Sequence, residues 1–241
     1  MEKAYKLLSL QKHISHSQAK SLIDSGLVSA NGRKLTLART LLDPKTNFQI
    51  QDIAPLRIIE QRGDLLVVDK PAFLESYAIQ ARFQGYELLH RLDRETSGVL
   101  LLARSQSQTA LEIIRAFKAR KVEKIYYALV SGIIPESSTI NAPILTKKGK
   151  SAKSKVHKDG LEAITHITPE SIVGKKTLLR VKIETGRTHQ IRVHLAHIGH
   201  PILGDSLYGG ANAARLMLHA SDIELLGMKF HAPLPEEFRI R

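Results

Sequence analysis

Short β-strand patterns, separated by few helical ones, dominate the sequence from residue 57 onward. In the segment EKIYYALVSG (123–132), Ile125, Tyr127 and Leu129 point to one side and the residues between them point to the other. Further strands are predicted at Leu65–Val68, LEAITHI (161–167) and LLRVKIE (178–184). Helical periodicity is confined to a few segments, such as SQSQTALEIIRAFKARK (105–121). Because strands and helices do not alternate regularly, the pattern predicts an α+β fold.

The first fifty residues have a pattern of their own. Two helical segments are followed by LVSANGRKL, in which Asn31-Gly32 predicts a tight hairpin turn. Residues 1–51 contain eight Lys or Arg and three acidic residues. We therefore expect a separate unit that contacts phosphates, with a small helical cap on the main domain as the alternative. The basic residues expected to share its surface are Lys12, His13, His16, Lys20, Arg33 and Lys34.

The whole chain is strongly basic. Its 241 residues include 36 Lys or Arg and 23 Asp or Glu, which gives a formal net charge of +13. A field of that sign suits a polyanion, above all nucleic acid, and a basic scaffold protein is the alternative. Aromatic residues make up only 5% of the chain, so a wide base-stacking platform is not expected.

Several classes of protein are excluded by what the sequence lacks. Cysteine is absent, which rules out disulfides and thiolate metal sites. No signal peptide is recognisable, and no apolar run approaches the roughly 20 residues of a membrane helix. We expect a soluble, monomeric, cytoplasmic protein. We also expect no metal site at the histidine cluster, because no cysteine or suitably placed carboxylate pair completes one; its members are His189, His194, His197 and His200.

One carboxylate has an unusual setting. The segment HRLDRETSGVLLLA (90–103) places Asp93 between Arg91 and Arg94, just before an apolar run. An aspartate in such a turn is either a solvated surface charge or a carboxylate held ionised for chemistry.

A second segment, ETGRTHQIR (184–192), favours the chemical interpretation of Asp93. It lies at a predicted strand-to-helix corner, where Gly186 permits the turn and Thr188 can cap the helix. Arg192 would then lie one turn into the helix and can be aimed at a carboxylate on another loop. An aspartate paired with arginine stays ionised, and an ionised, poorly solvated carboxylate is a competent nucleophile.

These segments also carry a resemblance to a known family. HRLDRETSGVLLLA, GRTHQIRVHL and GHPILGDSLYG resemble motifs of the RluA-type pseudouridine synthases. KIYYALVSG, GLEAITH, RLMLHA and FHAPLPEEF agree with it, and all of these segments stand in the family's order. The resemblance covers residues 57–241. Similarly, residues 17–32 resemble an S4 RNA-binding domain, which would occupy residues 1–51 and precedes the catalytic domain in some family members.

The resemblance implies a mixed, largely antiparallel sheet with flanking helices. It also implies conversion of a uridine in RNA to pseudouridine without a cofactor: the base is detached at N1 and rejoined at C5, after it has been flipped out. Asp93 matches the family's essential aspartate, Arg192 its partner and Tyr126 the active-site tyrosine. Ile191 would pack against the target base, and Arg91 would enter the RNA stack in place of the flipped nucleotide.

The RNA target is less closely defined. The two-domain arrangement favours large-subunit ribosomal RNA, with transfer RNA as the alternative and a non-catalytic RNA-binding or ribosome-assembly factor as the competing class. In the N-terminal unit, the residues expected to contact RNA are Lys12, Lys20, Arg33 and Lys34.

Two further segments call for comment. The family usually has Lys-Pro-Ala-Gly where this chain has Lys70-Pro71-Ala72-Phe73, so we expect a changed local turn. The segment KKGKSAKSK (147–155) contains five lysines. It is either a solvated loop or an arm that contacts phosphates.

Overall fold

The computed structural model describes residues 1–147 and 153–239. The chain divides into two compact units, Met1–Ala54 and Pro55–Arg241. In the described residues, every helix is too short or too polar to cross a lipid bilayer.

The N-terminal unit consists of two helices followed by short strands. Its elements are β1 (Glu2–Lys3), α1 (Ala4–Lys12), α2 (His16–Asp24), β2 (Val28–Ala30), β3 (Arg33–Lys34), β4 (Leu41–Leu42) and β5 (Phe48–Ile50). Helix α2 starts with a capping box, in which the Ser15 hydroxyl accepts from Gln18 N and the Gln18 side chain accepts from Ser15 N. The hairpin predicted between β2 and β3 is confirmed, since Asn31 and Gly32 both have positive φ angles, 48° and 75°.

Apolar side chains from both helices meet the small sheet in a core of their own. The fully or almost fully buried members are Ala4, Leu8, Ala19, Ile23, Val28 and Phe48. No lysine or arginine of residues 1–54 is buried, so the charge of this unit lies at its surface.

The larger unit is built around one sheet. Its strands are β6 (Arg57–Arg62), β7 (Leu65–Lys70), β8 (Tyr86–Leu88), β9 (Ser97–Arg104), β10 (Glu123–Ser131), β11 (Ser138–Asn141), β12 (Ile144–Lys147), β13 (Lys153–Val156), β14 (Ile164–Val173), β15 (Lys176–Ile183), β16 (Leu218–Leu225) and β17 (Met228–His231). Its helices are α3 (Ser76–Gln80), α4 (Gln108–Lys118) and α5 (Gln190–His197), with a 3-10 turn at Glu236–Phe238.

Ten of these strands form the central sheet, in the order β11-β14-β15-β10-β16-β9-β7-β6 with β17 beside β16 and β8 beside β9. Within the described ranges, every pairing of this sheet is antiparallel except that of β9 with β16. The predicted α+β fold with a mixed, largely antiparallel sheet is therefore confirmed. Strands β12 and β13 pair separately as a hairpin.

The parallel join between β9 and β16 depends on one glycine. Gly98 pairs with Ala220 and has a φ of 116°. A Cβ atom at this position would lie 2.1 Å from the Ala220 carbonyl oxygen. Only glycine permits so close an approach of the two backbones. The join fixes the start of β9, immediately after the loop that carries Asp93.

Both faces of the sheet are covered. Alternate residues of β7 and β9 face two different cores, because successive side chains of a strand point to opposite sides. Leu65 and Leu101 pack with Ile113 of α4 on one face. Leu66 and Leu102 belong to the core on the other face, which includes Ile191 and Leu195 of α5.

Candidate active site

A cleft open to solvent lies at the start of β9, beside the first turn of α5. Its empty volume is about 490 Å³, and all its lining residues belong to the larger unit. Asp93, Tyr126, Ile191 and Arg192 line it together with Arg91. The structure thus brings five residues predicted from distant parts of the sequence to one place.

The loop before β9 is held at both sides of Asp93. On one side, the Ser76 hydroxyl donates to Leu92 O and accepts from Leu92 N, at 3.0 and 3.2 Å. On the other, the Lys70 ammonium donates to the carbonyl oxygen of Arg94 at 3.0 Å, and also to those of Pro71 and Leu74. Lys70 is fully buried, and burial lowers its pKa to about 7. These contacts limit the freedom of the Asp93 backbone.

Phe73 keeps the turn that a glycine would favour. Its φ is 69°, in the left-handed region, and its side chain is buried. The expectation of a changed turn relative to the family's usual glycine stays a prediction. A left-handed non-glycine residue costs roughly 1–2 kcal/mol, a strain that burial of the large ring offsets.

Arg192 lies between two carboxylates. Its Nη1 is 3.2 Å from Asp93 Oδ2. Its Nε and Nη2 donate to the two oxygens of Asp205, at 2.7 and 2.9 Å. Burial lowers the pKa of Arg192, but hydrogen bonds to Asp205, the charge of Asp205 and then Asp93 outweigh that effect and raise it. The predicted pairing of Asp93 with Arg192 is thus present, but it is the weaker half of a three-residue cluster.

Asp205 is one of the residues that sequence reasoning missed. It is completely buried and also accepts hydrogen bonds from the backbone N–H groups of Leu207 and Tyr208. Its only sequence signal is its place in the segment GHPILGDSLYG, where no charge pattern links it to Arg192. A bidentate carboxylate is the geometry that best matches a guanidinium.

The corner before α5 differs from the prediction. The helix N-cap is His189 with a φ of 55°, and no side chain caps it, so Thr188 is not the cap. Gly186 is not among the residues with positive φ, so the turn does not require glycine there. Instead, the Gln190 side chain accepts from Arg187 N and from the Thr185 hydroxyl. This buried amide shapes the corner that carries Arg192.

A second group of side chains reaches Asp93 from the other direction. His189 Nε2 lies 3.7 Å from Asp93 Oδ2. His189 Nδ1 lies 2.9 Å from the Tyr208 hydroxyl oxygen, which accepts a hydrogen bond from Ser154 N at 3.0 Å. Burial lowers the pKa of His189, with the charge of Asp93 acting against it. Neither His189 nor Tyr208 was predicted as a site residue.

Tyr126 and Ile191 form apolar walls of the cleft. Tyr126 lies on β10, opposite Val181 of β15 and Ala220 of β16, and is 9% exposed. Burial and then the negative charge of Asp93 raise the pKa of Tyr126, so its hydroxyl stays protonated at neutral pH. Ile191 is buried at the start of α5.

Arg91 is exposed at the edge of the cleft. Its Nη1 lies 3.4 Å from the Tyr77 hydroxyl, and its guanidinium carbon lies 5.8 Å from the centre of the Tyr77 ring. Tyr77 is itself 59% exposed. A long cation and an aromatic ring thus stand together at the solvent side of the Asp93 loop.

The predicted basic residues of the N-terminal unit are all at least partly exposed. Lys12 ends α1, and Arg33 and Lys34 form β3. The Lys20 ammonium lies 4.4 Å from the centre of the Tyr5 ring.

The histidines near α5 have separate partners. His194 is buried and contacts the Thr165 hydroxyl and the Ala142 carbonyl oxygen, while His200 contacts the Ser131 carbonyl oxygen. In the parts of the chain that the structure describes, no three His, Asp or Glu side chains gather as metal ligands. Of the lysine-rich segment, residues 148–152 lie outside the described residues, and Lys147 and Lys153 face each other as the last and first residues of β12 and β13.

Comparison with known proteins shows the family of this chain. Residues 64–197 match the family model for RNA pseudouridylate synthase, and this range contains Asp93, Tyr126 and Arg192. The chain belongs to this family. It is an RNA pseudouridine synthase, an isomerase that converts uridine in RNA to pseudouridine.

Relatives agree over the whole length of the chain. An uncharacterized RNA pseudouridine synthase of Helicobacter pylori (strain J99) is 55% identical over 100% of both chains. The ribosomal large subunit pseudouridine synthase D of Pasteurella multocida (strain Pm70) is 32% identical over 96% of this chain and 87% of its own. Among solved structures, human RNA pseudouridylate synthase domain containing 1 is similar with a TM-score of 0.65 and 29% identity, over 74% of this chain and 83% of that one.

Proposed function

We propose that Asp93 is the catalytic carboxylate of this pseudouridine synthase and that its substrate is large-subunit ribosomal RNA. The observation that carries the catalytic role is the contact between Arg192 Nη1 and Asp93 Oδ2 at the base of the cleft. The Asp93 side chain is 29% exposed, while Arg192 is 5% exposed. The carboxylate therefore faces the cleft, and its charge is stabilised from the protein side.

The walls of the cleft suit a flipped pyrimidine. Once the target nucleotide has left the RNA stack, its base enters between the Tyr126 ring and Ile191. The Tyr126 hydroxyl keeps its proton, so the ring offers a neutral face and a hydrogen bond. Arg91, exposed beside Tyr77 at the edge, fills the gap that the flipped nucleotide leaves in the RNA.

The reaction is an internal rearrangement and needs no redox partner. Asp93 bonds to C1′ as the N1–C1′ bond breaks, the base turns within the cleft, and the bond from Asp93 to C1′ breaks as the C5–C1′ bond forms. The proton on C5 leaves and N1 gains one, so the product is an isomer of the substrate. A carboxylate of this kind can attack C1′ of the sugar or, as the alternative route, C6 of the base.

The ribosomal target rests on the relatives and on the N-terminal unit. Several relatives between 31% and 33% identical are named ribosomal large subunit pseudouridine synthase D. We further propose that residues 1–51 form an S4-like RNA-binding domain ahead of a catalytic domain at 57–241. Two helices, a hairpin with an Asn-Gly turn and a set of cations that are all at least partly exposed support it.

The experiment is site-by-site mapping of pseudouridine in total RNA. Cells that lack the gene are complemented with the wild-type chain or with Asp93→Asn, produced at equal levels. We expect one or more large-subunit ribosomal sites to lose pseudouridine and to regain it only with the wild type. Loss at a transfer RNA site would overturn the ribosomal target, and recovery with Asp93→Asn would overturn the catalytic role.

A further inference from the structure

Both contacts of the Asp93 carboxylate go to the same oxygen. Arg192 Nη1 and His189 Nε2 lie 3.2 and 3.7 Å from Oδ2. Among residues 1–147 and 153–239, no hydrogen bond or ion pair reaches Oδ1. The carboxylate is therefore held through Oδ2, while Oδ1 is accessible from the cleft.

Asp205 explains why Arg192 forms only a single hydrogen bond with Asp93. A free guanidinium beside a carboxylate forms a bidentate pair with it. Here the bidentate partner is Asp205, which takes Nε and Nη2 and leaves Nη1 for Asp93. Asp205 is itself fixed by two backbone N–H groups and is fully buried. A bidentate grip on Asp93 would instead occupy both of its oxygens and draw its charge away from the substrate.

The second contact is fixed through Tyr208. The Tyr208 oxygen accepts the Ser154 N–H, so its own proton is free for His189 Nδ1. When Tyr208 donates to Nδ1, the neutral His189 ring carries its proton on Nε2, the nitrogen that faces Asp93. The Tyr208 ring also lies 5.2 Å from the guanidinium carbon of Arg192. Tyr208 thus touches both groups that hold Oδ2, and its backbone N–H is bound by Asp205.

We propose that Asp205 is a positioning residue, which holds Arg192 and the Tyr208–His189 pair so that Asp93 is anchored through Oδ2 and presents Oδ1 as the reacting oxygen. The proposal rests on the catalytic role of Asp93 proposed above. It assigns Asp205 no contact with the RNA, so its loss should change the rate of reaction and not the binding of substrate.

The test is Asp205→Asn in the full-length chain, assayed by single-turnover release of tritium from 5-tritiated uridine in RNA. The amide that replaces the Asp205 carboxylate has one acceptor oxygen and cannot form the bidentate pair with Arg192 Nε and Nη2. The guanidinium can then turn and form a bidentate pair with Asp93 instead. We expect the rate at saturating RNA to fall about 100-fold, the loss typical of a misplaced reacting group. The dissociation constant for RNA should change less than about 2-fold. An unchanged rate, or a loss confined to RNA affinity, would overturn the proposal.

Destabilisation must be separated from positioning. Ile113→Ala is the matched control, because Ile113 lies on the buried face of α4 and does not line the cleft; it should lower the melting temperature while leaving the rate unchanged. In an Arg192→Gln background, Asp205→Asn should cause a further loss of rate well below 100-fold, since only the route through Tyr208 and His189 remains. A further 100-fold loss there would contradict the proposal. Asp93→Asn is assayed in parallel: turnover by that variant would refute the proposed function itself, whereas an inactive Asp93→Asn beside a fully active Asp205→Asn refutes the positioning role alone.

Discussion

The two units of this chain use charge in opposite ways. In residues 1–54 every lysine and arginine has access to solvent, and Thr46 is the one buried polar residue. In the larger unit, Lys70, Arg192, Asp205 and Arg215 are all buried. Surface cations attract a polyanion over a distance that salt shortens, whereas buried charges are costly and persist only with fixed partners. The difference is consistent with the proposal that the N-terminal unit binds RNA and that the larger unit holds the reacting groups.

The largest effect on activity should come from removing the negative charge of Asp93. Asp93→Asn keeps the shape of the side chain and loses its charge. We expect a fall in the rate of pseudouridine formation of about four orders of magnitude or more. Stability should change by no more than about 1 kcal/mol, because Arg192 keeps its bidentate partner and Asp93 is partly exposed.

The measurements are the single-turnover rate, the RNA dissociation constant and urea unfolding. RNA affinity should stay within about 2-fold of the wild type, because a carboxylate contributes no phosphate contact. A large loss of RNA affinity in Asp93→Asn would contradict the proposal that RNA binding and chemistry depend on different residues.

Arg192→Ala should combine inactivity with a large loss of stability. Removing the guanidinium strands the buried carboxylate of Asp205, which costs about 3–5 kcal/mol. The same substitution paired with Asp205→Leu should recover much of that stability but none of the activity. Urea unfolding of Arg192→Ala, of the double variant and of Asp93→Asn tests this. An Arg192→Ala variant as stable as Asp93→Asn would show that burial of the Asp205 charge does not depend on Arg192.

These two predictions also show how far the sequence could lead. Asp93 and Arg192 stand in motifs with distinct charge patterns, so their pairing could be anticipated across 99 positions. Asp205 and Tyr208 could not, because their role depends on a turn that folds back onto α5 and has no periodic signal. The left-handed backbone of Phe73 could not be predicted either, because residue type indicates such geometry only on average, and burial of the ring offsets the strain here.

The fold shows the same contrast: single helices and strands could be predicted from the sequence, but the pairing of distant strands could not. Alternation in β10, β14 and β15 and the periodicity of α4 predicted those elements, because each depends on its own residues. The order of strands, including the parallel contact of β9 with β16, depends on a pairing between residues more than 100 positions apart. Gly98 is essential to it, but a lone glycine in a strand pattern indicates a close approach without naming the partner.

The pH dependence of stability tests whether the buried charge of Lys70 is costly. Its pKa is about 7 in the folded chain and roughly 10.4 in an unfolded one. Between these values the unfolded chain binds more protons, so the stability contributed by this group is present above the upper pKa and is lost as pH falls toward 7. Relative to Lys70→Met, the wild type should gain stability from pH 7 to 10, by up to about 1.4 kcal/mol per pH unit.

Urea unfolding of both chains across this range gives the difference directly, and other titrating groups cancel in it. Lys118→Met, on the exposed side of α4, is the matched control and should give a difference that does not vary with pH. A flat difference for Lys70→Met as well would mean that its three carbonyl partners keep Lys70 charged throughout, despite its burial.

The smallest expected effect concerns the exposed cations of the N-terminal unit, and it is the one that salt should reveal. Replacing Lys12, Lys20, Arg33 and Lys34 together by Gln should weaken RNA binding while leaving the rate at saturating RNA unchanged. Each phosphate contact that is lost lowers the slope of log affinity against log salt by about 0.9 on duplex RNA and about 0.7 on a single strand. Affinity is therefore measured at several salt concentrations on the same RNA.

A matched set of four exposed lysines in the larger unit separates local contact from net charge. The control residues are Lys118, Lys121, Lys175 and Lys176. Both sets remove four positive charges, so a general electrostatic attraction would respond equally to each. If the N-terminal unit binds phosphates directly, only its own set should flatten the salt dependence by about 3 in slope. Equal slopes for the two sets would show that the cations of residues 1–54 act through net charge alone, and the comparison between the units would then hold only for the buried groups.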